Sequence, residues 1–173
     1  MNTKNKTFRL ALCAILSALG VALIYFGSLT DILDMSAAVI ASVGCIFAAL
    51  EFGGAYPWLI YAVTGVLSLI LVPNPMSALM YILFFGFYPI LKLKLERRSR
   101  LVCWILKEVA FNISLAALFL LWEFVFVAEA ESGLVWNIVF IVLAEITFPV
   151  YDVALSKISL MYFAKIRKKL RVK

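Results

Sequence analysis

The chain has 173 residues, of which 65% are apolar and only 15% charged. Soluble domains carry about 45–50% apolar and about 25% charged residues. A water-soluble fold of this size has too little interior for so much apolar surface, so lipid must cover the remainder. The net charge of +6 does not mark a nucleic-acid binder, because the basic residues fall in short segments between apolar runs. No histidine is present, which removes the commonest metal ligand and the commonest general base. Cys13, Cys45 and Cys103 lack CxxC spacing and lie in or beside apolar runs. They read as small buried packing residues, with neither a metal site nor a cofactor expected.

A bilayer core of about 30 Å requires about 20 apolar helical residues, and six segments approach that length. The first, 8–27, follows Lys4, Lys6 and Arg9. Basic residues before an apolar run also open signal peptides, but Leu10 to Phe26 is long for such a segment and no cleavage site stands out. It is read as a span. Along it Ala11, Ala14, Ala18 and Ala22 recur at steps of three, four and four, forming one face. Small side chains let a second helix backbone approach closely in lipid. That face serves either the protein's own helices or a separate membrane subunit.

The second segment, 35–51, closes on Glu51. The third, 55–72, lies between Gly53-Gly54 and Pro73-Asn74-Pro75, and the fourth is 76–91. The second and fourth are short, which fits little tilt or partial re-entry.

The fifth segment, 101–127, carries Asn112 and Glu123 eleven residues apart on one face, with Trp122 beside the glutamate. An aromatic ring next to a carboxylate suits a flat or cationic solute. It equally suits an interfacial belt tryptophan with a solvated neighbour. The sixth segment, 134–160, carries Glu145, Pro149, Asp152, Ser156 and Ser159 at steps of four, three, four and three, again one face. Glu145 falls near mid-membrane, where an ionisable group faces a cavity or a partner. It reads either as part of a site or as a polar lock between helices, and Pro149 removes a helix hydrogen bond there. Asp34, Ser36, Asn74, Tyr81, Trp136 and Asn137 share the outer end with Glu123. Helix capping, turn chemistry and belt anchoring account for them as readily as a pocket does.

Orientation follows from the basic residues. With six spans, one side receives Lys4, Lys6, Arg9, Lys92, Lys94, Arg97, Arg98, Arg100 and the tail from Lys165 to Lys173, with Lys107 and Lys157 nearest it. The opposite loops hold only Asp31, Asp34, Glu129 and Glu131. The expected fold is therefore an all-α integral membrane protein. It is a single transmembrane domain over 1–173, a six-transmembrane-helix bundle with both termini cytoplasmic. No internal repeat, phosphate-binding glycine loop, GxSxG, HExxH or filter-like loop appears, which speaks against an ATPase, a hydrolase or a channel.

Six spans in a chain of this length, an interior N-terminus and the opening RLALCAILSALGVAL resemble the substrate-binding S component of energy-coupling-factor (ECF) transporters. Ala14-xxx-Ala18 matches the AxxxA pattern of that family's first helix, and MSALMYILFFGFYPILKLKLER has the general look of its fourth span. The resemblance implies a bacterial plasma-membrane protein that is not itself an enzyme. Its first helix would dock on a T component connected to two ATPase subunits. It would capture a small water-soluble solute, a vitamin or precursor, in the outer half. The expected solute-binding residues are then Tyr81, Trp122, Glu123, Asn137, Glu145 and Asn74, and the expected docking residues Ala11, Ala14, Ala18 and Ala22. No binding signature for riboflavin, thiamine, biotin or folate is visible, and the lack of histidine speaks against nickel or cobalt handling. The competing readings are a structural or morphogenetic membrane protein of MreD type, with no solute site, and an intramembrane enzyme acting on lipid through Glu145 and Asp152.

Overall fold

The computed structural model describes residues 3–30, 33–96, 99–125, 134–162 and 164, with side chains described for 6–30, 33–96, 99–121, 138–162 and 164. Among them no strand forms, and the elements are helices: α1 (Thr3–Ser28), α2 (Asp34–Glu51), α3 (Tyr56–Leu71), α4 (Pro75–Met80), a π-helical turn (Tyr81–Phe85), α5 (Tyr88–Leu95), α6 (Arg100–Val125) and α7 (Leu134–Met161). Five stretches are long and apolar enough to cross a membrane: Lys6–Ser28, Asp34–Glu51, Pro75–Leu95, Arg100–Leu121 and Ile138–Met161. The third expected segment is the shorter apolar helix Tyr56–Leu71, of 16 residues. At a rise of about 1.5 Å per residue that is about 24 Å. Of the charges used for orientation, Asp31, Arg97, Arg98, Glu129, Glu131 and the tail from Lys165 lie outside the described residues.

The chain divides into two compact units, Met1–Leu118 and Phe119–Lys173. Within the first, glycine contacts fix the register. A Cβ built on Gly44 would lie 3.7 Å from Leu16 Cβ and 4.0 Å from Ile60 Cγ2. One on Gly20 would lie 3.0 Å from Thr64 Cγ2 and 3.8 Å from Ala41 Cβ, and one on Gly27 would run into Ala37 Cβ. Residues 16, 20 and 27 thus meet 44, 41 and 37, so α1 and α2 run antiparallel. Residues 16 and 20 meet 60 and 64, so α1 and α3 run parallel. The buried face of α2 is Ala37, Ala38, Ala41, Ser42, Cys45, Ile46 and Ala48, mostly small residues. In lipid no hydrophobic drive pushes helices together, so closeness of backbones must supply the packing energy. A helix this slim lets α1 and α3 approach it.

At the N-terminal end of α1, the Arg9 guanidinium lies 5.5 Å from the Phe52 ring centre and 5.9 Å from that of Tyr56. These cation–π contacts tie α1 to the α2–α3 turn. The turn itself needs glycine, since Gly53 and Gly54 have φ of 62° and 58°, a left-handed conformation that other residues rarely adopt. The amides of Phe52 and Gly53 both donate to Ala48 O, closing α2.

The fourth expected segment, 76–91, runs farther, to Leu95, and is interrupted. Asn74 Oδ1 accepts from the Met76 amide at 3.0 Å, capping α4. Pro89 has no amide hydrogen to donate to residue 85, and just ahead of it the helix widens, with Gly86 N donating to Tyr81 O at 2.7 Å. Tyr61 on α3 donates its hydroxyl to Ile82 O at 2.9 Å, satisfying one carbonyl of the widened turn. Rings of Phe84, Phe85, Phe87, Tyr88 and Phe111 pack edge-on or tilted around it, bringing α6 against this element.

In the second unit α7 spans 28 residues with Pro149 inside it. Phe119 meets Phe140 edge-on at 5.8 Å.

The α1–α2 crossing gives a direct test. Gly27→Ala places a methyl on Ala37 and should cost about 1–3 kcal/mol, the range for overpacking. Apparent melting temperature in detergent should fall, and adding Ala37→Gly in the same chain should recover most of the loss.

Candidate functional site

The alanine stripe and the packing face of α1 are different faces. Cys13, Ser17, Val21, Ile24 and Ser28 are buried, and Gly20 and Gly27 lie on that same side against α2 and α3. Ala11, Ala14, Ala18 and Ala22 are all exposed. At about 100° per residue the two faces are centred roughly 120° apart. The reading in which the alanines pack on the protein's own helices therefore fails in the first unit, where the face carrying Cys13, Ser17, Gly20, Val21, Ile24 and Gly27 is the buried one. A row of small side chains is left facing outward, flanked by exposed Ile15, Leu19 and Leu23.

The expected solute-binding residues fall in both units, and some of their side chains lie outside the described residues. Tyr81 is fully buried, with its hydroxyl 3.2 Å from Cys45 Sγ and its ring 6.2 Å from that of Tyr61. It opens the π-helical turn and belongs to the interior of the first unit rather than to an outer surface. Asn74 is a helix cap, as its turn chemistry allowed. Glu145 is half-buried in α7, in the second unit. Pro149, four residues on, cannot donate to the Glu145 carbonyl, so that backbone oxygen loses its helix partner. Ser156 and Ser159, on the same stripe, donate to Asp152 O and Leu155 O within α7. The side chains of Trp122, Glu123 and Asn137 lie outside the described residues. Asn112 is exposed and donates to Glu108 O at 3.1 Å.

Two groupings were not foreseen. The first is ionic. Lys92, read from sequence as a loop charge, is fully buried on α5, where Nζ lies 3.0 Å from Glu96 Oε1. Lys107 on α6, 6% exposed, reaches the same oxygen at 3.4 Å. One carboxylate thus draws two ammonium groups from adjacent helices and fixes the α5–α6 corner. The sequence signal was the i, i+4 spacing of Lys92 and Glu96.

The second grouping is a set of hydroxyls inside the first unit. Ser28, Ser42 and Ser114 donate to carbonyls of their own helices at 2.6–2.8 Å, the usual resolution for a hydroxyl in an apolar helix. Ser17, Thr64, Ser68 and Ser77 do not. Each is 0–1% exposed, and among the described residues each hydroxyl oxygen has no hydrogen-bond partner. A buried hydroxyl left unpaired costs about 1–3 kcal/mol. Pairing Thr64 with Ser68, and Ser77 with Tyr81, at i, i+4 was the available signal. All three cysteines are buried free thiols.

The charged corner predicts an ordering. Glu96→Gln removes the carboxylate that Lys92 and Lys107 share, and should lower stability more than Lys92→Met, which removes a buried charge and keeps the stem. A difference of about 1–2 kcal/mol, reduced by the partial exposure of Glu96, should appear in chemical denaturation in detergent.

Compared with known proteins, the chain matches no family model, no curated protein and no solved structure.

Proposed function

We propose that this chain is the substrate-capture subunit of an importer of the ECF type, with six spans, both termini cytoplasmic, in a bacterial plasma membrane. It takes up a small water-soluble solute, a vitamin or precursor, from the outer half of the bilayer. It presents the face of α1 carrying Ala11, Ala14, Ala18 and Ala22 to a T component, and two ATPase subunits on that partner supply the energy.

The observation that carries this reading is the outward alanine face of α1. A helix packing only on its own bundle has no need of small residues on its lipid side, where leucine and isoleucine serve equally well. A flat groove of methyl groups lets another helix come within backbone contact, and such contact holds membrane helices together. The distribution of charge agrees. Arg9 at the start of α1, Lys94 near the end of α5 and Arg100 at the start of α6 fall at one end of the first unit, and Asp34 at the other, matching the bias of basic residues toward the cytoplasm.

The test is Ala14→Trp together with Ala18→Trp. Both positions are exposed, so the variant should fold with an unchanged melting temperature. Co-purification of a T component and ATPases from the native host should drop at least about tenfold, a loss of about 1.4 kcal/mol or more. Accumulation of solute should fall with it. Unchanged association would remove the docking role.

A further inference from the structure

We propose that Ser17, Thr64, Ser68 and Ser77 form an internal site for uncharged, water-sized hydrogen-bonding groups, held between α1, α3 and α4 in the interior of the first unit. This inference is independent of the transport reading.

The four hydroxyls share a region. A Cβ on Gly20 would lie 3.4 Å from Thr64 Oγ1, so the Thr64 hydroxyl looks toward α1, and Ser17 sits one turn before Gly20 on the same buried side. Ser68 follows Thr64 by one turn on the same face of α3. A Cβ on Gly65 would lie 2.9 Å from Ile82 Cγ1. Because the chain reverses between α3 and α4, Ser77 comes within about one turn of the level of Ser68. α1, α3 and α4 all pack on one another. From Ser17 to Ser68 the row extends about 10 Å along the axis.

The chemistry of the row selects the guest. Hydroxyls donate and accept but carry no charge, and no ionisable side chain belongs to the set. An ion would find no compensating charge among these four groups themselves, whereas a neutral donor–acceptor group would satisfy two or more of these oxygens at once. Buried waters do this in folded proteins, typically with about three hydrogen bonds each. The hydroxyl or amide groups of a small neutral solute offer the same pairing. The close approach of α1 and α3 at Gly20 restricts the guest to small groups.

Substitutions at Thr64 read out the site by sign. Valine keeps the methyl that packs on Gly20 and removes the hydroxyl. Serine keeps the hydroxyl and removes the methyl. With a bound guest, Thr64→Val should lower the apparent melting temperature of the full chain in detergent by about 3 °C or more, and by more than Thr64→Ser. Thr64→Val combined with Ser68→Ala should cost less than the two losses added. If Thr64→Val instead equals or exceeds wild type, and the pair is additive, the hydroxyls hold nothing and the proposal fails. Should either variant not fold, a wild-type structure at water-resolving resolution decides. A density peak within about 3.2 Å of two or more of the four oxygens supports the site, and a bare row overturns it. Mass spectrometry of small molecules released from exhaustively washed protein separates the sources. An effect that persists with no compound released identifies water. An effect lost together with a released neutral compound identifies a solute.

Discussion

The rest of this structure depends on how closely α1 and α3 approach α2. Where lipid replaces water, burying a leucine between helices gains little over leaving it in acyl chains, so helices stay together through contact between small residues and through polar groups with no better partner. α2 meets that condition, with Ala37, Ala38, Ala41, Cys45 and Ala48 buried along one face. Gly20 and Gly27 of α1 meet it from the opposite side. The α1–α3 core follows from that contact. The interrupted α4–α5 element then closes on it through the Tyr61, Tyr81 and Cys45 contacts.

Once α1 is committed to α2 and α3 by its glycine and serine side, its alanine side is left over. The two faces of one helix therefore do different things. One builds the unit, and the other is exposed. The importer reading rests on this division, and so does the expectation that bulky side chains on the alanine side leave the fold intact. Polar groups divide in the same way. Lys92 and Lys107 share the Glu96 carboxylate at one end of the unit. The hydroxyls of Ser17, Thr64, Ser68 and Ser77 sit farther along the bundle from that corner.

The positions of the helices were legible in the sequence because hydropathy and helix breakers report them directly. Gly53-Gly54 and Pro73-Asn74-Pro75 punctuate the chain where α2, α3 and α4 stop and start. α7 begins at the expected residue 134 and ends at Met161. The fourth segment was harder. Lys92 and Lys94 looked like loop charges, although the helix continues through both to Leu95, because a buried ion pair is invisible to a hydropathy count. The interruption just ahead of Pro89, a π-helical turn whose carbonyl is taken by a tyrosine from another helix, was not foreseen. The alanine stripe was visible, yet spacing alone could not say whether it faced inward. On the other side of the same helix, Ser17 had to be seen buried and Gly20 in contact with α2 and α3. Tyr81 was placed at the outer surface by its depth in the span, but a tyrosine's direction depends on which neighbour offers its hydroxyl a partner, here Cys45.

The importer reading holds only if all six apolar helices cross the bilayer, including Tyr56–Leu71 with its 16 residues. Reporter domains fused at the two chain ends, one active only in the cytoplasm and one only outside, test this most directly. Six crossings predict that both ends report from the cytoplasm. Ends reporting from opposite faces would mean that α3 or another helix does not cross. The one-sided distribution of lysine and arginine, and the importer reading built on it, would then be contradicted.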